Sequence, residues 1–252
     1  MSPSSNATAS HSTAAPRKVC WGVLSTAKIG LEKVIPAMQQ SAWCDMHAIA
    51  SRSLPRAQAA ACALGMAQAY GSYFNRSSQN IRNRPETGGG ALYDIGCYAI
   101  VAGRFLFGCK PLRVISLMDA DPDFKTDRTF SGLLDFGGGR RLDFTVSTQL
   151  APYQRVNAIG TQRRLELMIP FNAPLGGATD WLLDEGKLHG NLQAQVETVP
   201  PCNMYTLQGD AFSRAVRGEI ALPYGMDDAL CNMRIIDALF ASCASGAWEP
   251  VG

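Results

Sequence analysis

The chain has 252 residues, of which 46% are hydrophobic and 17% charged, a composition typical of a globular protein with a sizeable core. Its formal net charge of +2 is near neutral, and the sequence has no basic stripe, so neither nucleic acid nor an anionic membrane is indicated as a partner. No continuous apolar run approaches the roughly 18 residues that a bilayer span requires.

Residues 1–17 are rich in Ser, Thr and Ala and contain no acidic residue. Because this segment also lacks an apolar core, we expect a disordered extension and no secretory signal. The eight cysteines include no Cys-x-x-Cys pair, which indicates reduced thiols in a cytoplasmic protein and not a disulfide framework. The three histidines are widely separated in sequence, so no metal site is predicted.

Residues 18–73 have the pattern of a small parallel α/β unit. Apolar, β-rich residues predict a strand from Lys18 to Leu24 and a second strand from Met46 to Ala50, with a helix from Ile29 to Gln40 between them. This order of strand, turn, helix and strand is that of the opening βαβ unit of a dinucleotide-binding fold.

The turn after the first strand is a candidate cofactor loop. It has the position of the Gly-x-Gly-x-x-Gly motif, with Ser25, Ala27 and Gly30 in the three glycine places. Small residues still allow the backbone to approach a pyrophosphate at a helix N-terminus, and the retained Gly30 is the one expected to permit close helix packing. The predicted cofactor-binding residues of this turn are Ser25, Thr26, Ala27, Lys28, Ile29 and Gly30.

The second strand is followed by Ser51 and Arg52. NAD-dependent enzymes of this fold place an acidic residue here, about 20 residues beyond the turn, to bind the ribose hydroxyls. A hydroxyl and a guanidinium suit the 2′-phosphate of NADP instead. NADP is therefore the predicted cofactor, with NAD as the alternative, although Arg52 is equally compatible with a solvent-facing strand end.

The stretch from Gly88 to Tyr98 combines three consecutive glycines with the start of a helix, on which Leu92, Ile95 and Ala99 recur at helical spacing. Asp94 and Tyr98 are four residues apart, and residues at that spacing share one face of a helix. They form a candidate catalytic pair of a carboxylate and a phenol. The alternative is structural, since an aspartate can complement the helix dipole and a tyrosine can pack half-buried.

Residues 74–252 are predicted to form an open, mainly antiparallel sheet domain with flanking helices. The predicted strands are Arg113 to Met118, Thr129 to Phe136, Arg141 to Gln149, Arg155 to Gly160, Arg164 to Ile169, Thr179 to Asp184 and Gln195 to Val199. The predicted closing helices are Leu207 to Arg217 and Asp227 to Ser242. A hairpin is expected at Gly137 to Gly139.

Three blocks of this sequence resemble the family of glucose–fructose oxidoreductase, inositol dehydrogenase and MocA, whose members are NAD(P)-dependent sugar oxidoreductases and dihydrodiol-type dehydrogenases. The blocks are Trp21 to Gly30, Gly88 to Tyr98 and Asp227 to Ala238. The resemblance implies a Rossmann-like unit followed by the family's sheet domain. It also implies that Tyr98 donates or accepts a proton at the substrate hydroxyl, that Asp94 orients sugar hydroxyls, and that Arg82 and Asn83 contact the substrate.

The chain departs from this family in the nucleotide-binding part. Family members carry a Glu-Lys-Pro motif in the second half of that domain, and its lysine helps to polarise the reacting group. Here the only Glu-Lys pair is Glu32-Lys33, followed by Val34. A doubly wound domain needs two βαβαβ halves, whereas residues 18–73 supply about one. We therefore expect an internal deletion near Gly71 to Phe74, through splicing, an error in the gene model or a real loss.

Two functions remain open from the sequence. The first is an NAD(P)-dependent oxidoreductase acting on the CH–OH group of a sugar, polyol or diol, impaired by loss of the lysine segment. The second is a non-catalytic sheet domain that forms a homodimer through its free sheet face or binds another partner.

Overall fold

The computed structural model describes residues 17–23, 29–49, 74–160, 163–184 and 194–252. The elements in chain order are β1 (Val19–Val23), α1 (Ile35–Gln39), β2 (Cys44–Ile49), α2 (Cys97–Phe107), β3 (Arg113–Ala120), β4 (Asp127–Gly137), β5 (Arg140–Ser147), β6 (Val156–Ile159), β7 (Arg164–Leu167), β8 (Thr179–Asp184), β9 (Gln195–Val199), α3 (Met204–Val216), α4 (Met226–Ser245) and β10 (Glu249–Pro250). The N-terminal extension before residue 17 lies outside the described residues.

The contacts divide the chain into two compact units. Among the described residues, the first unit contains 17–23, 29–49 and 203–223, and the second contains 74–160, 163–184, 194–202 and 224–252. The sequence placed all residues from 74 onward in one domain, whereas residues 203–223 pack with the first unit. The hydrophobic periodicity of a helix shows that one of its faces is buried. It does not show which other element covers that face.

The first unit is built on a parallel pair of strands. β1 pairs with β2 from Val19 opposite Cys44 to Val23 opposite Ile49. A π-helical turn, Gly30–Val34, leads into α1 between these strands, in agreement with the predicted βαβ order. Parallel neighbours need such a crossover because a tight hairpin cannot join them.

Helix α3 completes the first unit by packing against α1 and β2. Asn203 caps its N-terminus by accepting hydrogen bonds from the backbone N–H groups of Tyr205 and Thr206. The Thr206 hydroxyl donates to the Ala37 carbonyl over 2.7 Å. Gly209 lies so close to β2 that a Cβ at this position would be 3.0 Å from the Cys44 sulfur. These contacts explain why the segment belongs with the nucleotide-type unit despite its late position in the chain.

The second unit contains two four-stranded antiparallel sheets, with strand orders β10-β3-β4-β5 and β6-β7-β8-β9. All seven antiparallel strands predicted from the sequence are present. The hairpin between β4 and β5 turns at Gly137, Gly138 and Gly139, whose φ angles of 76°, 62° and 82° favour glycine. The prediction of this turn is confirmed.

The core of the second unit lies between the sheet β10-β3-β4-β5 and the helices α2 and α4. Its fully buried side chains include Leu92, Ile100, Phe130, Leu134 and Leu239. These residues come from alternate positions of strands and from one stripe of each helix, which is the arrangement that places apolar residues on one face. The start of α2 is therefore held by the main core of the unit.

One segment of the described residues, Pro85–Phe107, has the length and composition of a membrane span, with 23 residues and a mean hydropathy of 1.2. Core helices of globular proteins pass the same test. Leu92 and Ile100 in this segment are fully buried against the sheet. One third of the segment is buried within the structure.

The three glycines before α2 are each required for a different reason. Gly88 ends a short 3₁₀ turn with a φ of 70°. At Gly89 a Cβ would be 2.5 Å from the backbone oxygen of Arg82. At Gly90, where φ is 129°, a Cβ would overlap the Asp127 carboxylate at 1.7 Å from Oδ1. The loop thus fits tightly between the turn at Arg82 and the first residue of β4.

Asp127 holds the start of the following helix. Its Oδ2 accepts a hydrogen bond from the Leu92 backbone N–H over 2.6 Å, and the side chain is buried. Burial raises the pKa of Asp127, while hydrogen bonds from the backbone of Leu92, Asp127 and Ala91 oppose that rise. The carboxylate thereby satisfies backbone donors that a helix start leaves without intrahelical partners.

We predict that Gly90→Ala destabilises the protein more than Gly88→Ala does. Both residues have positive φ, which costs an L-residue about 1–2 kcal/mol. The Gly90 substitution also displaces the Asp127 carboxylate, and a buried donor left unsatisfied adds about 1–3 kcal/mol. A Cβ at Gly88 meets no atom within 4 Å, so Gly88→Ala is the matched control. Urea unfolding at neutral pH measures the difference.

The interaction with Asp127 is isolated by repeating both substitutions in an Asp127→Ala background, as in a double-mutant cycle. In the Asp127→Ala background, the difference between the destabilisation by Gly90→Ala and that by Gly88→Ala should fall sharply. Equal costs for the two alanines in the wild-type background would contradict this account of the loop.

Candidate functional site

The predicted catalytic pair lies at the start of α2. Residues Leu92–Gly96 form a π-helical turn that leads into α2, so Asp94 is in the wider turn and Tyr98 is one residue inside the α-helix. Turns of this kind occur often at functional sites. The four-residue spacing keeps both side chains on the same side of the helix, because four residues complete about one turn.

Arg82 and Asp94 are joined by an ion pair, with 2.7 Å between Arg82 Nε and Asp94 Oδ1. Their side chains are 34% and 23% exposed, so the pair is partly screened but remains accessible from solvent. Hydrogen bonds between charged partners are roughly twice as strong as neutral ones. The structure thus brings together two of the residues predicted to contact substrate and fixes the Asp94 carboxylate in one orientation.

The position of Arg82 follows from its local sequence. Ile81–Asn83 form a 3₁₀ turn, in which the Asn80 side chain accepts a hydrogen bond from the Arg82 backbone N–H. The Thr87 hydroxyl donates to the Ile81 carbonyl over 2.6 Å. Gly89 allows this turn to lie directly on the glycine loop. A rigid turn therefore carries the guanidinium to the start of the helix.

Asn83, the fourth residue predicted near the substrate, is buried with 4% of its surface exposed. Its Nδ2 donates to the carbonyl oxygens of Asn75 and Ser77, over 2.9 Å and 3.0 Å. This amide nitrogen holds the loop at residues 75–77 in place. A substrate contact by Asn83 stays a prediction, and the observed bonds give the residue a structural role.

Tyr98 is half-exposed, at 50%, and its ring contacts the ring of Phe171. The two ring centroids are 5.7 Å apart with an angle of 31° between the planes. Phe171 lies between β7 and β8, far along the chain from Tyr98. Sequence reasoning missed Phe171 because a single phenylalanine in a loop has no periodic pattern and belongs to no recognised motif.

Cys97 and Tyr93, which lie close to Asp94 in the sequence, both have raised pKa values. Burial raises the pKa of the Cys97 thiol, and the nearby Asp94 charge raises it further, so Cys97 is held in its neutral form. Burial likewise raises the pKa of Tyr93, followed by the charges of Asp237 and Asp127. The Tyr93 ring packs on Phe240 at 5.4 Å. Tyr98, 50% exposed against 36% for Tyr93, is the more accessible of the two phenols.

The predicted cofactor residues lie only partly within the described structure. Ser25, Thr26, Ala27, Lys28, Ser51 and Arg52 lie outside the described residues. Ile29 and Gly30 begin the helix after β1. Among the described atoms, none lies within 4 Å of a Cβ built at Gly30, so the expected close packing at this glycine is not observed there.

The first unit has the strand–helix–strand order of a dinucleotide-binding unit. β1 and β2 are parallel, and the intervening helix starts just beyond the carboxyl end of β1. In such units the phosphates bind at the helix N-terminus.

Among the described residues, no group of three or more His, Cys, Asp or Glu side chains is arranged to hold a metal ion. The seven described cysteines are all free thiols. The chemistry available at the start of α2 is therefore that of a carboxylate, a guanidinium and a phenol. These groups can bind neighbouring hydroxyls and exchange a proton with one of them.

Comparison with known families and proteins places the chain among oxidoreductases. Residues 62–166 match the model of the GFO/IDH/MocA C-terminal domain. An uncharacterized oxidoreductase of Rhizobium meliloti is 28% identical over 331 residues, covering 92% of this chain and 99% of that protein. The D-xylose 1-dehydrogenase (NADP(+)) 2 of Haloferax volcanii is 31% identical over 173 residues, covering 68% of this chain but only 50% of the dehydrogenase.

Similar folds are found in solved structures. A 3-ketoreductase of Actinomadura kijaniata, crystallised with NADP and TDP-benzene, has a TM-score of 0.78 at 16% identity, covering 90% of this chain and 98% of that one. An aldose-aldose oxidoreductase of Caulobacter crescentus, crystallised with glycerol, has a TM-score of 0.60 at 20% identity, covering 70% of this chain and 52% of that one. At these identities the likeness concerns the fold. The domain match and the sequence relatives show that this chain belongs to the Gfo/Idh/MocA family of oxidoreductases.

Proposed function

We propose that the chain is an NADP-dependent oxidoreductase of the CH–OH group of a sugar, polyol or diol, with reduced catalytic power. The observation that carries this proposal is the Arg82–Asp94 ion pair, located one helical turn from the accessible Tyr98. A carboxylate fixed by a guanidinium is suited to accept hydrogen bonds from vicinal hydroxyls. A phenol nearby is suited to move the proton of the reacting hydroxyl.

In this mechanism Asp94 accepts hydrogen bonds from substrate hydroxyls, and Arg82 keeps its carboxylate oriented. In the oxidative direction the ionised oxygen of Tyr98 takes the hydroxyl proton while the carbon loses a hydride. In the reductive direction the neutral phenol returns that proton to the carbonyl oxygen. NADP, when bound, supplies the hydride acceptor or donor.

The choice of NADP rests on two observations. The strand-end pair Ser51-Arg52 suits a 2′-phosphate. The D-xylose dehydrogenase relative is NADP-dependent by name, and the ketoreductase with the similar fold was crystallised with NADP. The parallel strands of the first unit and the helix between them have the order of a dinucleotide-binding unit.

The reduced catalytic power is inferred from a missing segment. The match to the Rhizobium meliloti protein extends over 331 residues although this chain has 252, which supports an internal deletion. No Glu-Lys-Pro occurs in the sequence, so the lysine expected from the family resemblance is absent. The loss of one such electrostatic stabiliser raises a reaction barrier by about 2.7–4 kcal/mol.

We predict that Tyr98→Phe strongly lowers turnover without weakening cofactor binding. Loss of a positioned general acid or base typically lowers a rate by about 10²- to 10⁴-fold. NADPH binding is followed by nicotinamide fluorescence, and turnover by NADPH absorbance with a panel of aldoses and polyols. Tyr224→Phe serves as the control, because Tyr224 is an exposed tyrosine in the turn before α4.

Two results would overturn the proposed function. One is a wild-type chain that shows no fluorescence change even at millimolar NADPH. The other is full activity in the Tyr98→Phe variant, which would assign the proton transfer to another group.

A homodimer formed through the sheet β10-β3-β4-β5 is a second proposal. Val114 is fully buried, and the Ser116 hydroxyl donates to the Leu239 carbonyl of α4. Strand alternation therefore turns Leu117 to the opposite face, where it is 76% exposed. An exposed apolar side chain on a sheet face is suited to meet its own copy across a two-fold axis.

We expect Leu117→Lys to weaken the proposed dimer by at least about tenfold, because burying an unpaired charge at an interface is costly. The mass measured by light scattering during size-exclusion chromatography should fall from dimer to monomer. Leu150→Lys, which alters a leucine 60% exposed outside the strands, should leave the mass unchanged. A wild-type chain that is monomeric at high micromolar concentration would refute the proposal.

A further inference from the structure

The loop that carries Phe171 is anchored by residues at and just before the start of β6. Gln154 Oε1 accepts hydrogen bonds from the backbone N–H groups of Phe171 and Asn172, over 3.0 Å and 3.1 Å. Arg155 donates to the Met168 carbonyl over 3.3 Å. The same arginine pairs with Glu166 at 3.3 Å, so the loop is fixed on both sides of the ring.

This anchoring gives Phe171 a defined position next to Tyr98. In a helix, tyrosine adopts two of the three staggered χ1 rotamers. Tyr98 is half-exposed, so contacts with the protein cover only part of its side chain. A neighbouring ring with its centroid at 5.7 Å stabilises the rotamer that packs against it, since tilted aromatic pairs contribute about 0.5–1.5 kcal/mol beyond their buried area.

We infer that Phe171 is a positioning residue that holds the Tyr98 phenol in its reactive orientation beside the Arg82–Asp94 pair. This inference rests on the role proposed above for Tyr98. The two rings and the ion pair lie in the same structural unit. Gln154 contributes indirectly, because its side chain binds the backbone of Phe171 and Asn172.

The packing of Tyr98 against Phe171 can be measured without turnover. In protein labelled with ¹³C at the tyrosine ring, the Tyr98 signal is identified by its loss in Tyr98→Phe. Phe171→Leu should shift this signal, because it removes the ring current of the neighbour, and Gln154→Ala should shift it in the same direction. Phe171→Tyr retains a ring and should leave the signal close to its wild-type position. Phe105→Leu, which alters a 72% exposed phenylalanine on the same helix, is the matched control.

The functional consequence is measured by comparing the effects of the substitutions on kcat and on KM. Phe171→Leu should lower kcat by up to about 10²-fold, as small misplacements of reacting groups do. The KM for NADPH should stay unchanged, and Phe171→Tyr should restore kcat. A general loss of structure would instead change both constants and the amide spectrum.

The outcomes separate this inference from the proposed function. A Tyr98 signal that stays in place in Phe171→Leu overturns the positioning role, whatever the activity. If Phe171→Leu shifts the Tyr98 signal but the wild-type chain shows no turnover, the positioning of Tyr98 is supported and the proposed catalysis is refuted. A shifted signal with an unchanged kcat overturns the claim that the orientation is the reactive one.

Discussion

The contact between Asp127 and the start of α2 is the interaction on which the candidate site depends. The buried carboxylate accepts a hydrogen bond from the Leu92 N–H, and Gly90 leaves the space that the carboxylate occupies. This contact attaches the helix to the first residue of β4, and therefore to the core of the sheet. Asp94 and Tyr98 follow within the next two turns, so their position is set by a residue that takes no part in the proposed chemistry.

Much of the fold could be predicted from the sequence, because strand alternation and helical spacing are local signals. The βαβ order, the antiparallel strands and the turn at Gly137–Gly139 all follow from such patterns. Local signals do not reveal which distant surfaces meet. The glycine run predicted a tight loop but not that Gly90 faces Asp127, and the pattern of α3 did not show that it packs on α1. Phe171 carried no local signal, since its partner lies on another element.

The residues of the proposed substrate site are held in place by many contacts within the second unit. The Arg82–Asp94 pair is held by hydrogen-bonded turns, a glycine loop and a packed core, all within the second unit. By the family resemblance, the missing segment would have carried the lysine and the second half of the nucleotide-binding sheet. Under the proposed deletion, charge stabilisation during the reaction is lost, whereas the residues proposed to bind hydroxyls and to move the proton are retained.

The central claim, that this chain is an internally shortened form of a complete oxidoreductase, is tested most directly by sequencing the genomic DNA and the full-length transcripts across the codons for Tyr70 to Asn75. The account predicts an additional in-frame segment at this junction that encodes further strands and helices of a nucleotide-binding domain, with Glu-Lys-Pro among them. Codons that run without interruption through this junction in both the genomic DNA and every transcript would contradict it.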